Sequence, residues 1–293
     1  MDIIYILLIS FVITSICVLL KYFKNEEPYG EYSIPKIIWV FWDKELPSLV
    51  EKIRKRNEEI LISWKINFLN NETIYKFIEK EEFPKNFYTL SVQHKSDWIR
   101  LALLNKYGGV WLDSSIIIND NNALNKLREY SYSKKSQFTG FSFRNYEPDM
   151  ISDKNISLYI ENWFIMAPVN SIVIKEWFFE FEKAIQFGFI NYKTFLKNEG
   201  INTSKYFRED IDDVYLTQHG CLQFVLQKKL DKPSIIIMPA ENDMLSLHHY
   251  CKNDSTCVMN EIKNNSSEVR KIPYIKLTGK DRNIGVDINN YFV

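Results

Sequence analysis

The chain has 293 residues, 46% apolar and 25% charged, and its 37 basic side chains balance 37 acidic ones. That balance excludes a general nucleic-acid binder, which needs a basic excess or stripe to neutralise phosphates. An aromatic content of 15% excludes a disordered chain, and 9 Gly with 9 Pro exclude collagen-like and low-complexity classes.

In chain order, residues 3–20, IIYILLISFVITSICVLL, carry no charge. Eighteen helical residues span roughly 27 Å, enough for the hydrocarbon core of a bilayer, so residues 1–23 are expected to form a single-pass transmembrane anchor. Lys21 and Lys24 flank its far end, and the positive-inside rule then places the rest of the chain on the cytoplasmic face. Residues 24–33 read as a linker, and residues 34–293 as one α/β domain in which strand-like and helix-like segments alternate.

Within that domain, residues 36–42, KIIWVFW, suit a strand buried on both faces. Pro47 and Ser48 open a helix expected to run to about residue 64, with Leu49, Ile53, Ile60 and Trp64 on its apolar stripe. Ile74 to Ile78 reads as a second strand. Ser96 is the expected N-cap of a helix over 97–107, which Gly108 stops in a left-handed conformation. Val110 to Ile118 reads as one core strand whose alternation puts Trp111, Asp113 and Ser115 on the same face. Residues 171–187 form an amphipathic helix whose aromatic stripe is packing. The four cysteines, Cys17, Cys221, Cys251 and Cys257, are too few for a disulfide scaffold. Cys251 and Cys257 are near enough to close a small loop, but both read as free thiols. His219, His248 and His249 lack zinc-ligand spacing.

The chemistry concentrates in HKSDWIRLALLNKYGGVWLDSSIII, residues 94–118. An apolar strand there delivers Asp113 close to its C-terminal end, where open α/β sheets bind ligands. Asp97 and Arg100, at i and i+3, share a helix face. A half-buried carboxylate needs a cation, and a divalent metal bridging a diphosphate is one supply. On spacing alone, Asp113 as a turn cap and Asp97–Arg100 as a solvated pair remain equally open.

The pattern S-D-x-x-R-x-x-x-L-x-x-Y-G-G-x-W-x-D, Ser96 to Asp113, resembles the sugar-binding region of DXD-type glycosyltransferases. These include capsular polysaccharide synthesis proteins, the fungal initiating mannosyltransferases and the glucosylating toxins. The stretch from Ile34 to Trp42 is similar to their first strand, and the segments at 160–167 and 276–278 resemble capsular-synthesis sequences. The resemblance implies a GT-A fold, Rossmann-like and nucleotide-binding, and a retaining hexosyltransferase acting from a nucleoside diphosphate sugar on a glycan or lipid-linked acceptor. By position it implies that Trp42 stacks on the nucleobase and that Asp97 and Arg100 bind the donor sugar. It also puts Tyr107 and Trp111 in the donor site and makes Asp113 the first Asp of the metal motif. Asp113, Asp97 and Arg100 are then the catalytic set. Ser115 stands where the motif has its second Asp, so Mn²⁺ or Mg²⁺ is expected on Asp113 with weak help from the Ser115 hydroxyl. Glu161, Asn162 and Trp163 are acceptor-side candidates, with core filling as the other reading of Trp163. Lys276, Thr278 and Lys280 are candidate counter-charges over the diphosphate, and His248 and His249 candidate phosphate contacts. Arg208 to Asp213 reads as a solvated acidic face in which a further metal ligand is the alternative. The resemblance also admits a type II, Golgi-lumenal orientation. Rival functions are a non-catalytic sugar-binding or scaffold protein on the same fold and a nucleotide-sugar hydrolase.

Overall fold

The apolar run of residues 36–42 becomes β1 (Ile37–Phe41), and its alternation sorts side chains onto the two faces of a sheet. Trp39 and Phe41 enter one core cluster, while Ile38 and Val40 enter another. The computed structural model in which this is seen describes residues 30–142, 160–201 and 214–292. The expected anchor over 1–23, most of the linker and the acidic stretch 208–213 lie outside them. Among the described residues no helix is long and apolar enough to cross a membrane.

The other elements are α1 (Ser48–Ile60), β2 (Lys65–Leu69), α2 (Val92–Tyr107), β3 (Gly109–Leu112), β4 (Ile116–Ile118), α3 (Asn121–Ser133), β5 (Phe138–Ser142), β6 (Phe164–Ala167), α4 (Ile172–Phe187), α5 (Phe189–Asn198), α6 (Thr217–Phe224), β7 (Ile235–Pro239), α7 (Ser246–Tyr250), α8 (Ser255–Lys263), α9 (Ser267–Lys271), β8 (Tyr274–Lys276) and α10 (Gly279–Asn283). The main sheet has the order β2-β1-β3-β6-β5-β7. β1 runs parallel to β2 and β3, β5 runs parallel to β7, and β6 is antiparallel to both its neighbours. Helices α2, α4 and α6 cover the face carrying Trp39 and Trp111. The opposite face, with Ile38, Val110 and Leu112, packs on Leu124 of α3. A third cluster joins Ile53 of α1 to the short β4–β8 sheet and to α7, α8 and α9.

Helix α1 ends at Ile60 and not near residue 64, with Trp64 in the turn that follows, and the structure corrects four further sequence expectations. The second strand is β2 and not residues 74–78. β2 is an edge strand with only Leu69 fully buried, so it shows no dense apolar run. Thr73–Lys76 is instead a 3₁₀ turn, started by Asn70 Oδ1 accepting from the amides of Glu72 and Thr73 at 2.9 and 2.8 Å. Helix α2 begins five residues early, because Ser91 and not Ser96 caps it. The strand expected over 110–118 breaks into β3 and β4 at a turn closed by Ile116 N donating to Asp113 O at 3.0 Å. Finally, Cys251 and Cys257 form a disulfide, because the turn after α7 and the start of α8 bring their Cα atoms to 5.7 Å.

Gly108 stops α2 as expected, at φ +61°. Gly109 follows at φ +97°, where a Cβ would lie 2.5 Å from the Ile37 carbonyl oxygen. Any side chain here pushes β3 off β1. Gly109→Ala should therefore lower unfolding stability by about 3 kcal/mol in a urea titration; a loss below about 0.5 kcal/mol would contradict the close approach. The disulfide gives a second check. Among the described residues Cys251 and Cys257 are bridged and Cys221 is free, so reducing the unfolded protein should raise its thiol titre by two, and no rise would refute the bridge.

Candidate functional site

The parallel pair β1 and β3 ends side by side, and a cleft of about 520 Å³ opens beyond their C-terminal ends. β1 contributes Phe41 and Trp42, and β3 runs directly into Asp113, Ser114 and Ser115. The first half of α2 lays Val92, Gln93, Ser96, Asp97 and Arg100 along one wall, the spacing of one helical face. Opposite them stand Lys276, Leu277, Gly279 and Arg282 from the segment around β8 and α10.

The floor is a buried polar network. Asp97 and Arg100 are each 5% exposed and lie 3.3 Å apart. Arg100 Nη1 donates to the Asn162 carbonyl at 2.9 Å, and its guanidinium carbon sits 5.0 Å from the centroid of the Trp111 ring. Asn162 Nδ2 donates to Asp97 Oδ1 at 3.0 Å and to Gln218 Oε1 at 2.7 Å. Gln218 Nε2 donates back to the Asp97 carbonyl at 2.6 Å. Burial pushes the Asp97 carboxyl above its ordinary range against the pull of Arg100. Asp113 goes the other way. Burial acts to raise it, but the charges of Lys276 and Arg100 and the hydrogen bonds from Trp111 and Lys276 together hold it below the usual carboxylate range. The two carboxyl groups on one guanidinium are thus shifted in opposite directions, Asp97 upward and Asp113 downward.

The opposite wall carries the cations. Lys276 Nζ donates to Asp113 Oδ2 at 3.1 Å and to Ser115 Oγ at 2.9 Å. The other carboxylate oxygen, Asp113 Oδ1, accepts from Trp111 Nε1 at 3.1 Å and lies 3.6 Å from Arg100 Nη2. The Arg282 guanidinium stands 5.6 Å from the Trp42 ring centroid. A divalent cation was expected on Asp113 and Ser115. Among the described residues the site does not fit one: it offers a single carboxylate and a hydroxyl, both hydrogen-bonded to the Lys276 ammonium, whereas a hard dication wants about six oxygens. Among the described residues no group of three or more His, Cys, Asp or Glu is arranged to hold a metal.

Trp42, Asp97, Arg100, Asp113, Ser115, Asn162 and Lys276 therefore meet in one cleft. Other expected residues do not line it. The Tyr107 hydroxyl donates to the Phe77 carbonyl at 2.7 Å and the ring packs on Trp39. Trp111 lies buried beneath Arg100 and orients Asp113. Trp163 stacks on Phe141, centroids 5.3 Å apart, inside the core. Glu161 is buried with an oxygen 3.9 Å from His219 Nε2. Thr278 caps α10 through Asp281, whose Oδ2 also meets His248 Nε2 at 2.8 Å, so that pair holds the turn under Arg282. Gln218, Tyr215 and Arg282 were missed. No sequence motif marks them, and the topology alone brings Tyr215 and Arg282 to the cleft and Gln218 to the network beneath it.

The chain belongs to the capsular polysaccharide synthesis protein family, whose model matches residues 19–235. Among curated proteins, Glycosyltransferase afumC of Aspergillus fumigatus is 29% identical over 100 residues, covering 28% of this chain and 25% of that protein. The chain thus matches about a quarter of that relative's length. PaToxG Glycosyltransferase aligns at a TM-score of 0.37 and 11% identity, covering 88% of this chain and 85% of its own. A glycosyltransferase involved in the glycosylation of the major capsid of PBCV-1 aligns at 0.38 and 10%, covering 87% and 96%.

Gln218 is fully buried and satisfies Asp97, Arg100 and Asn162 at once. Gln218→Leu keeps the volume but takes one buried hydrogen-bond partner from each of these groups, which should cost about 2–3 kcal/mol in a denaturant titration. Wild-type stability in that variant would show that the network does not hold the floor.

Proposed function

We propose that the chain is a glycosyltransferase of GT-A type that moves a hexose from a nucleoside diphosphate sugar to a glycan or lipid-linked acceptor. The observation that carries this reading is that Asp113 at the end of β3, a buried Asp97–Arg100 pair, the Trp42 ring and the cations Lys276 and Arg282 line one cleft. A flat aromatic suits a nucleobase, a buried carboxylate–guanidinium pair suits sugar hydroxyls, and Lys276 with Arg282 suits a diphosphate. Family membership and the name of the fungal relative support the same class of reaction.

In the reaction so proposed, the bond between the anomeric carbon and the phosphate oxygen breaks, and its electron pair stays on the diphosphate. The acceptor hydroxyl oxygen bonds the anomeric carbon, and its proton goes to the departing phosphate. A retaining course of this kind asks the protein for orientation and for positive charge at the leaving group. Asp113 serves by orienting Lys276, and Asp97 with Arg100 by fixing the sugar. The apolar segment 3–20 fits a membrane anchor that holds the cleft near a lipid-linked acceptor. Lys21 and Lys24 favour a cytoplasmic domain, whereas the Cys251–Cys257 bridge favours the oxidising side of the membrane.

The test is turnover of the full chain on a panel of nucleotide sugars, with and without glycan acceptors. Acceptor-dependent transfer is expected, and release of sugar regardless of acceptor would indicate a hydrolase. Asp113→Ala should lose at least about tenfold in turnover, about 1.4 kcal/mol of transition-state stabilisation. Full activity in that folded variant would end the assignment.

A further inference from the structure

The Asp113-Ser114-Ser115 turn is built around an ammonium. Lys276 Nζ has three donors. Two go to Asp113 Oδ2 and Ser115 Oγ at 3.1 and 2.9 Å, which leaves the third for the cleft that Lys276 lines. The side chain is only 13% exposed and its backbone is fixed on both sides. Lys276 N donates to the Met244 carbonyl at 2.9 Å, and Leu277 N to the Ser115 carbonyl at 3.0 Å. Lys276 also faces Ile116 across the β4–β8 ladder, so the turn and the lysine move as one piece.

The second cation of this wall is also set out for an anion. Arg282 Nε is buried without a hydrogen-bond partner among the described residues, although the residue lines the cleft over Trp42. Both cations lie beyond residue 235, where the match to the family model ends. The replacement of a second motif carboxylate by Ser115 removes one negative charge at the place where Lys276 adds a positive one. A carboxylate there would pair a second time with the same ammonium and consume its charge. A hydroxyl positions the ammonium and leaves part of its charge for a ligand.

We propose that Lys276 supplies from within the chain the positive charge that a divalent cation supplies at a two-carboxylate motif, with Arg282 as its companion on the diphosphate. Asp113 and Ser115 then hold a lysine, and nucleoside diphosphate binding needs no metal. This rests on the nucleotide-sugar reading given above.

The full chain in detergent micelles is titrated with UDP, GDP, ADP and CDP by calorimetry, first in excess EDTA and then in saturating Mn²⁺. The nucleotide that binds should do so with affinities equal to within about twofold in the two buffers, and Lys276→Met should weaken it by at least about tenfold in both. Lys276→Arg should recover part of the loss, and a Mn²⁺ titration of the wild type read by electron paramagnetic resonance should leave the ion free. Binding that disappears in EDTA and returns with Mn²⁺ overturns the inference while leaving the donor reading intact, and it does so on the wild type, whatever the folding of the variants. Wild-type affinity in Lys276→Met overturns it as well. No binding of any nucleotide in either buffer overturns the donor reading, and the inference falls with it.

Discussion

One guanidinium shared between two carboxylates fixes the architecture of the cleft. Arg100 is almost fully enclosed, with Asp97 at 3.3 Å and Asp113 at 3.6 Å. Removing a charge of this kind from water is expensive, and deleting one partner of such a group typically costs about 3–5 kcal/mol. The fold meets that demand with neutral partners chosen for geometry. Trp111 lies under the guanidinium, Asn162 and Gln218 close the ring of donors and acceptors, and Ser96 accepts from Nη2 at 3.3 Å. Each comes from a different element: β3, the approach to β6, α6 and α2. The sheet order that sets β6 against β3 is therefore what carries Asn162 to Arg100.

The cleft divides between two parts of the chain. Its floor and the α2 wall fall within the family-matched residues 19–235, whereas its cationic wall comes from β8 and α10, beyond them. That second wall is tied down independently. The Asp281 carboxyl is buried, yet it is held far below the ordinary carboxylate range because hydrogen bonds from His248 and Thr278 more than offset the cost of burial. A lowered value of this kind stabilises the fold above the unfolded carboxylate pKa and loses that contribution as pH falls toward the folded one. The charged Asp281 thus keeps the Arg282 turn in place through the neutral range, and the Cys251–Cys257 bridge braces the adjoining α7–α8 corner.

Much of this was legible in the sequence wherever a strong local signal coincided with burial. The apolar run of β1, the Gly108 stop and the Asp97–Arg100 spacing all carried through, because helix and strand periodicity governs those positions. The failures have common causes. β2 is a half-exposed edge strand, so propensity favoured the Ile74 segment until the Asn70 side chain turned it. The 110–118 strand broke because a turn at Asp113 lets β4 leave the main sheet and pair with β8, a partner more than 150 residues away in sequence. Asp113 and Ser115 do converge, but through that turn and Lys276, and not through alternation. Tyr107 matched a motif position yet belongs to the core, since its hydroxyl finds a backbone carbonyl there. Gln218 and Arg282 gave no local signal, because their roles exist only in three dimensions.

The central claim is that residues 92–100, 113–115 and 276–282 form one nucleotide site. Hydrogen–deuterium exchange of the full chain, with and without the nucleoside diphosphate that binds it, tests this most directly. The account predicts slowed exchange in all three segments together, with the β5–β7 edge of the sheet unchanged. Protection confined to another part of the chain, or to only one of the three, would contradict it.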